Sequence, residues 1–243
     1  MTKVFIDGSA GTTGLRIAER LELRQDIELI RLSEENRKDI SARKEAINMA
    51  DIVFLCLPDA ASVESVSLCD NPNTVIIDTS TAHRTNSDWA YGFPELSADL
   101  YNKIKNSKRI ANPGCHASGF IALVYPLIEK GILDENALLS CVSLTGYSGG
   151  GKKMIANYEA DNRDVLLDAP RQYGLSQFHK HLPEMTAITG IKNPPAFMPI
   201  VGDFYSGMEV TIPIFPQMLR DAGIEDIKNI YKEKYQGAVV KYA

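Results

Sequence analysis

The chain has 243 residues, 44% of them hydrophobic and 23% charged, enough to bury the core of one large domain or two modest ones. Its 26 Lys and Arg against 31 Asp and Glu give a formal charge of −5, which supplies no basic face for a nucleic acid. No apolar run approaches the roughly 20 residues needed to cross a bilayer, so no membrane partner is expected.

The first strand-like run, Lys3–Asp7, starts almost at the N-terminus and leaves no room for a signal peptide. Further strand-like runs follow at Ile27–Leu32, Ile52–Leu57 and Thr74–Asp78, with helical patterns at about Gly14–Arg24, Arg37–Met49 and Ala61–Cys69 between them. The continuous apolar runs "IVFLCL" and "TVIID" suit parallel strands buried on both faces. This βαβαβ order predicts an α/β fold, a Rossmann-type doubly wound parallel sheet. After Asp78 comes a long polar and aromatic connection, "TSTAHRTNSDWAYGFPEL", of a length more often functional than idle. A helix at Ser97–Asn106 and a short strand at Lys108–Ala111 lead into "NPGCHASG".

The second half reads as a mixed α+β substrate domain, which places the boundary at 1–114 and 115–243. A helix is expected from about Cys115 to Lys130 and a strand at Leu139–Leu144, then a Gly-rich loop and a helix near Lys153–Asp161. "AFMPIVGDF" and "GMEVTIPIF" are expected as neighbouring strands, and Glu225–Tyr235 as a surface helix.

Five segments carry the chemistry. In "DGSAGTTG", directly after the first strand, Gly8, Gly11 and Gly14 with Ser9, Thr12 and Thr13 form a tight turn into a helix N-terminus, the parts a dinucleotide pyrophosphate needs. Beyond the second strand, Glu34 stands where a ribose-binding acid would. Ser33, Arg31, Arg37 and Lys38 surround it and suit a 2′-phosphate, so NADP is preferred over NAD. Of the four cysteines, Cys56, Cys69 and Cys141 sit in apolar stretches and read as reduced core thiols of a cytoplasmic protein. Cys115 instead follows Asn-Pro-Gly at a helix start, where the dipole and unpaired N–H groups favour the thiolate. Thioester chemistry at such a cysteine needs a separate histidine, and His179 and His181 in "FHKHLPEM" are the candidates, His116 being poorly placed. No third ligand is spaced to make those two a metal site, so no metal is expected. Finally, "TGYSGGGKKM" is nearly a P-loop, but Lys153 stands where the Mg²⁺-binding hydroxyl would. It is expected to cradle an anion near Cys115 through its N–H groups.

"NPGCHASG", "DTSTAHR", "YGFPEL", "GYSGGGKKM" and "HKHLPEM", in this order behind the glycine turn, resemble N-acetyl-γ-glutamyl-phosphate reductase in its shorter, second type. The resemblance implies NADPH-dependent reduction of an acyl phosphate to a semialdehyde in arginine synthesis, in a homodimer or homotetramer with a substrate and dimerisation domain. It implies Cys115 as nucleophile and His179 or His181 as acid/base, with His181 preferred. Arg84, supported by Asn112, Ser80 and Lys152, is expected on the substrate side; a structural salt bridge is the other reading of Arg84. Pro58, Ser62 and Gly149 are expected on the cofactor side. Related readings are an aspartate-semialdehyde dehydrogenase-like enzyme and an inactive nucleotide-binding paralogue. The family's closing "LDNLGKGASG"-like stretch has no match before the final "GAVVKYA", which implies a truncated chain lacking part of the cofactor's floor.

Overall fold

A computed structural model describes residues 1–9 and 11–243; Ala10, inside the first glycine loop, lies outside the described residues. Two compact units emerge, Met1–Gly92 with Asn102–Pro113, and Phe93–Tyr101 with Gly114–Ala243. The segment 93–101, read from sequence with the first domain, thus groups with the second.

The first unit is built from β1 (Thr2–Asp7), α1 (Thr12–Glu22), β2 (Ile27–Ile30), α2 (Ile40–Met49), β3 (Ile52–Leu55), α3 (Asp59–Ser67), β4 (Val75–Asp78), β5 (Ala90–Tyr91), the C-terminal part of α4 (Ala98–Asn106) and β6 (Arg109–Ala111). Its six strands run parallel in the order β2-β1-β3-β4-β6-β5. Phe5, Val53 and Ile76 are in register on one face, where they pack with Ala46, Ile47 and Ala50 of and just beyond α2. The chain winds one way from β1 to β2 and the other way from β3 onward. The switch point between β1 and β3 is where an open parallel sheet leaves a crevice beyond its carboxyl ends. Helix α2 starts later than the apolar pattern suggests, because Asn36–Lys38 form a separate 3₁₀ turn. Asp39 then caps the helix by accepting from the Ala42 N–H at 2.8 Å.

The second unit holds α5 (Cys115–Glu129), β7 (Ser140–Gly146), α6 (Gly151–Tyr158), β8 (Arg171–Gln172), α7 (Leu182–Thr189), β9 (Ala196–Gly202), β10 (Met208–Thr211) and α8 (Ile224–Lys234). Helix α5 is its core element, burying Phe120, Ile121, Val124 and Leu127 completely. Each such side chain contributes roughly 1.5–3 kcal/mol by leaving water. The four-stranded sheet is mixed, in the order β10-β7-β9-β8. The expectation that "AFMPIVGDF" and "GMEVTIPIF" pair with each other is corrected here: β7 lies between them, parallel to β9 and antiparallel to β10. An apolar pattern identifies a strand but not its partner. The loop between β9 and β10 instead carries the chain across the end of β7, where Gly146, Tyr147 and Ser148 donate their N–H groups to the carbonyls of Gly207, Phe204 and Tyr205. Among the described residues no helix is long and apolar enough to cross a membrane.

Candidate active site

In the first unit, a cleft of about 690 Å³ opens at the switch point, lined by Gly8, Ser9, Gly11, Leu32, Arg37 and Cys56 among others. Gly8 has φ +89°, and a Cβ there would stand 2.3 Å from the Cys56 carbonyl oxygen; one at Gly14 would stand 2.5 Å from the Gly8 oxygen. Only glycine lets the turn lie this close to the end of β3 and to the first turn of α1. Gly11 caps α1 without a side-chain bond, and the first turn, starting at Thr12 and Thr13, holds no acidic residue. The N-terminus is therefore left to an anion, and these residues fit the pyrophosphate of a dinucleotide. Ser33 lies exposed just past β2, its hydroxyl accepting from the Asn36 N–H at 3.4 Å, and Arg37 pairs with Glu34 at 3.2 Å. Pro58 is the exposed residue that opens α3. Asp7, at the end of β1, is buried with Arg43, whose Nε and Nη2 donate to its Oδ2 at 3.2 and 3.1 Å. The same arginine reaches Glu64 at 2.8 Å, so α2 and α3 are both tied to the strand that carries the glycine turn.

Two expected site residues have another task in the structure. Asp78, fully buried at the end of β4, accepts from Ser62 Oγ at 3.0 Å, from Ser80 N–H at 2.9 Å and from Ser80 Oγ at 2.7 Å. His83 Nδ1 meets the same carboxylate at 2.6 Å, with its ring stacked on Trp89 at 4.0 Å. The Ser62 and Ser80 hydroxyls are thus spent on holding the polar connection in place. A buried carboxylate demands such donors, so the hydroxyls of Ser62, expected on the cofactor side, and of Ser80, expected on the substrate side, both face Asp78 in the structure. Arg84 is also buried. Its Nε donates to the Asn112 carbonyl at 2.9 Å and its Nη2 to the Thr79 carbonyl at 2.8 Å, so it spans the ends of β4 and β6. Asn112 itself is exposed.

In the second unit, Cys115 is the exposed first residue of α5, with Gly114 as its N-cap. Glu184, only 1% exposed, accepts the Gly114 N–H at 2.7 Å and so pins the head of α5 to α7. His181 caps α7, with Pro183 in the first turn, and is buried. His179 Nδ1 accepts the His181 N–H at 3.2 Å, and burial, then the nearby Lys180, lower its pKa. The rings of His179 and His181 lie 4.8 Å apart, and His116 lies 5.7 and 5.6 Å from them. Both nitrogens of His116 are engaged, Nδ1 with Ser143 Oγ at 2.7 Å and Nε2 with the Tyr173 hydroxyl at 2.8 Å. Burial, then His179, lower its pKa to about 4, so the ring is neutral. Tyr173 is pushed up to about 12 by burial and then by Cys115. Among the described residues no group of three or more His, Cys, Asp or Glu side chains is arranged to hold a metal.

The second glycine loop spends part of its backbone within its own unit. Besides the three N–H groups donated to residues 204–207, the Gly151 N–H turns back to the Ser148 carbonyl. Gly149 and Lys152 remain exposed at the start of α6. Sequence reasoning missed Glu184, Tyr173 and Ser143. Glu184 carried a signal, an acid at the third helical position after His181 in "HLPE". Tyr173 and Ser143 carried none, because only the tertiary fold brings them to His116.

A glycine-turn cleft on a parallel sheet, with a second unit that holds an exposed cysteine at a helix start and three clustered histidines, is the arrangement of an oxidoreductase of the semialdehyde dehydrogenase class with a nicotinamide cofactor. The family models for the semialdehyde dehydrogenase NAD binding domain and dimerisation domain match residues 3–104 and 115–241. The fold is shared with solved structures of aspartate semialdehyde dehydrogenase: one from Francisella tularensis (TM-score 0.68, 15% identity, 95% of this chain and 80% of that one) and one with NADP from Candida albicans (0.67, 17%, 97% and 77%). In sequence the chain is similar to N-acetyl-gamma-glutamyl-phosphate reductase of a Chelativorans species, 48% identical over 212 residues, covering 87% of this chain and 68% of the relative. It is also 44% identical over 241 residues to N-acetyl-gamma-glutamyl-phosphate reductase 2 of a Nostoc species, covering 97% and 74%. The chain belongs to the N-acetyl-γ-glutamyl-phosphate reductase family.

Proposed function

We propose that this protein is a cytoplasmic enzyme of arginine synthesis, working as a homodimer or homotetramer. It reduces N-acetyl-γ-glutamyl phosphate with NADPH to N-acetylglutamate 5-semialdehyde and phosphate. The observation that carries this reading is Cys115, exposed at the head of α5 on an N-cap that Glu184 fixes, in the same unit as the paired histidines. Residues 1–114 bind the nucleotide in this reading. The turn from Gly8 to Gly14 receives the pyrophosphate, Ser33 and Arg37 receive a 2′-phosphate, and Pro58 forms part of the wall. Residues 115–243 carry the covalent chemistry.

Cys115 Sγ, as thiolate, forms a bond to the acyl carbon, and the carbonyl electron pair moves to oxygen. As that pair returns, the carbon–phosphate oxygen bond breaks and phosphate leaves with its electrons, giving a thioester. The nicotinamide, when bound, supplies the hydride that reduces this thioester. His181 protonates the resulting oxyanion, then takes the proton back as the aldehyde forms and Cys115 departs as thiolate. His181 is assigned this role because the Nδ1 of His179 is occupied in holding the His181 main chain. Arg84, set by two carbonyls, and Asn112 are the cationic and N–H groups of the first unit suited to a substrate phosphate, and Lys152 is the cation of the second unit suited to it.

The test is the reverse reaction, with N-acetylglutamate semialdehyde, phosphate and NADP set beside aspartate semialdehyde. The expected outcome is turnover of the acetylated aldehyde at least 100-fold faster, on the order expected when buried polar groups lose their substrate partners. Preference for aspartate semialdehyde would reject the substrate, and equal rates with NAD and NADP would reject the roles of Ser33 and Arg37.

A further inference from the structure

Ser143 is fully buried in β7, and its hydroxyl meets a single hydrogen-bond partner among the described residues, His116 Nδ1 at 2.7 Å. His116 is neutral, so one ring nitrogen carries a proton and the other accepts. If Nδ1 held the proton, Ser143 would accept it and its own O–H would be buried without an acceptor, a cost of about 1–3 kcal/mol. The arrangement that leaves the fully buried Ser143 with an acceptor has Ser143 donating to Nδ1 and Nε2–H donating to the oxygen of the half-buried Tyr173 at 2.8 Å. The proton of Tyr173 is then turned away from His116. Cys115 is the residue before His116, exposed at the head of the same helix.

We propose that Tyr173 is a catalytic hydrogen-bond donor to the oxyanion that forms on the acyl carbon bonded to Cys115, and that Ser143 and His116 are positioning residues that fix the direction of its proton. The proposal rests on the covalent role of Cys115 given above. No proton changes owner in this contact. When the carbonyl electron pair moves to oxygen, the Tyr173 O–H stabilises the charge, and it releases the oxygen when the pair returns. A tyrosine kept protonated well above neutrality suits that task.

Two measurements test it. Nitrogen-15 NMR of histidine-labelled protein at pH 7, with His116→Gln used for assignment, is expected to show His116 protonated at Nε2 and bare at Nδ1. The Nδ1–H form, or an imidazolium, would overturn the relay. In kinetics, Tyr173→Phe is expected to lower kcat by about 10²-fold, the usual effect of losing one oxyanion donor, with KM changed only a few-fold. His116→Leu should fall to the same level, and adding it to Tyr173→Phe should cost nothing more. His116→Gln, whose amide N–H replaces that of Nε2, should recover activity to within about 10-fold of the unchanged protein. Unchanged kcat in Tyr173→Phe overturns the donor role. The rate of Cys115 alkylation separates this from failure of the covalent reading: it stays unchanged in Tyr173→Phe if only the donor is lost. Turnover surviving in Cys115→Ala would reject the covalent step itself, and the donor role with it.

Discussion

Gly114 donates its N–H to a carboxylate seventy residues away, and the position of Cys115 depends on that bond. Glu184→Ala would leave a buried donor without an acceptor, so a loss of about 1–3 kcal/mol is expected in the urea midpoint. Glu184→Gln keeps an acceptor oxygen and should lose less; equal losses would show that packing, not the hydrogen bond, is what matters. His116 gives a pH dependence with a definite sign. Its folded pKa of about 4 lies below the ordinary histidine value near 6.5, so the unfolded chain binds more protons between those two values. Its contribution is complete above about pH 6.5 and falls away as the pH drops toward 4, on the order of 3 kcal/mol in all. Denaturation midpoints from pH 8 to pH 4 should show that slope, and His116→Gln should flatten it. An unchanged slope would mean that other groups carry the acid sensitivity.

Among the elements, the turn between β1 and α1 is the most constrained. Gly8→Ala would force a side chain at φ +89° into the Cys56 carbonyl, and a loss of several kcal/mol in stability together with weakened dinucleotide binding is expected. Binding and melting temperature within error of the unchanged protein would contradict the close approach. This turn was legible in the sequence because glycine spacing after a strand reports backbone geometry directly. The long elements were legible for a similar reason, since apolar periodicity over ten or more residues reflects burial. Strands β5 and β8, at two residues each, are too short to leave a pattern. The β7 neighbours were misread because pairing is decided by the fold around α5 and α7, not by the strands' own composition. That Ser62 and Ser80 donate to Asp78 was not legible, because nothing local announces that Asp78 is buried and needs four donors.

At the scale of the molecule, the two units divide the work. The parallel sheet offers a cleft at its switch point, and the mixed sheet with α5 and α7 holds Cys115, three clustered histidines and the Ser143–His116–Tyr173 contact. The motifs "NPGCHASG" and "HKHLPEM" made the second cluster readable before any coordinates, because each places a reactive side chain at a helix start. What they left unread was the supporting shell of Glu184, Ser143 and Tyr173. The account turns on Cys115 carrying the acyl group. The most direct measurement is intact mass and peptide mapping after mixing the protein with N-acetyl-γ-glutamyl phosphate in the absence of NADPH. An N-acetylglutamyl adduct on the Cys115 peptide, absent from Cys115→Ala, is the predicted result. Turnover by Cys115→Ala, with no adduct on the unchanged protein, would contradict it.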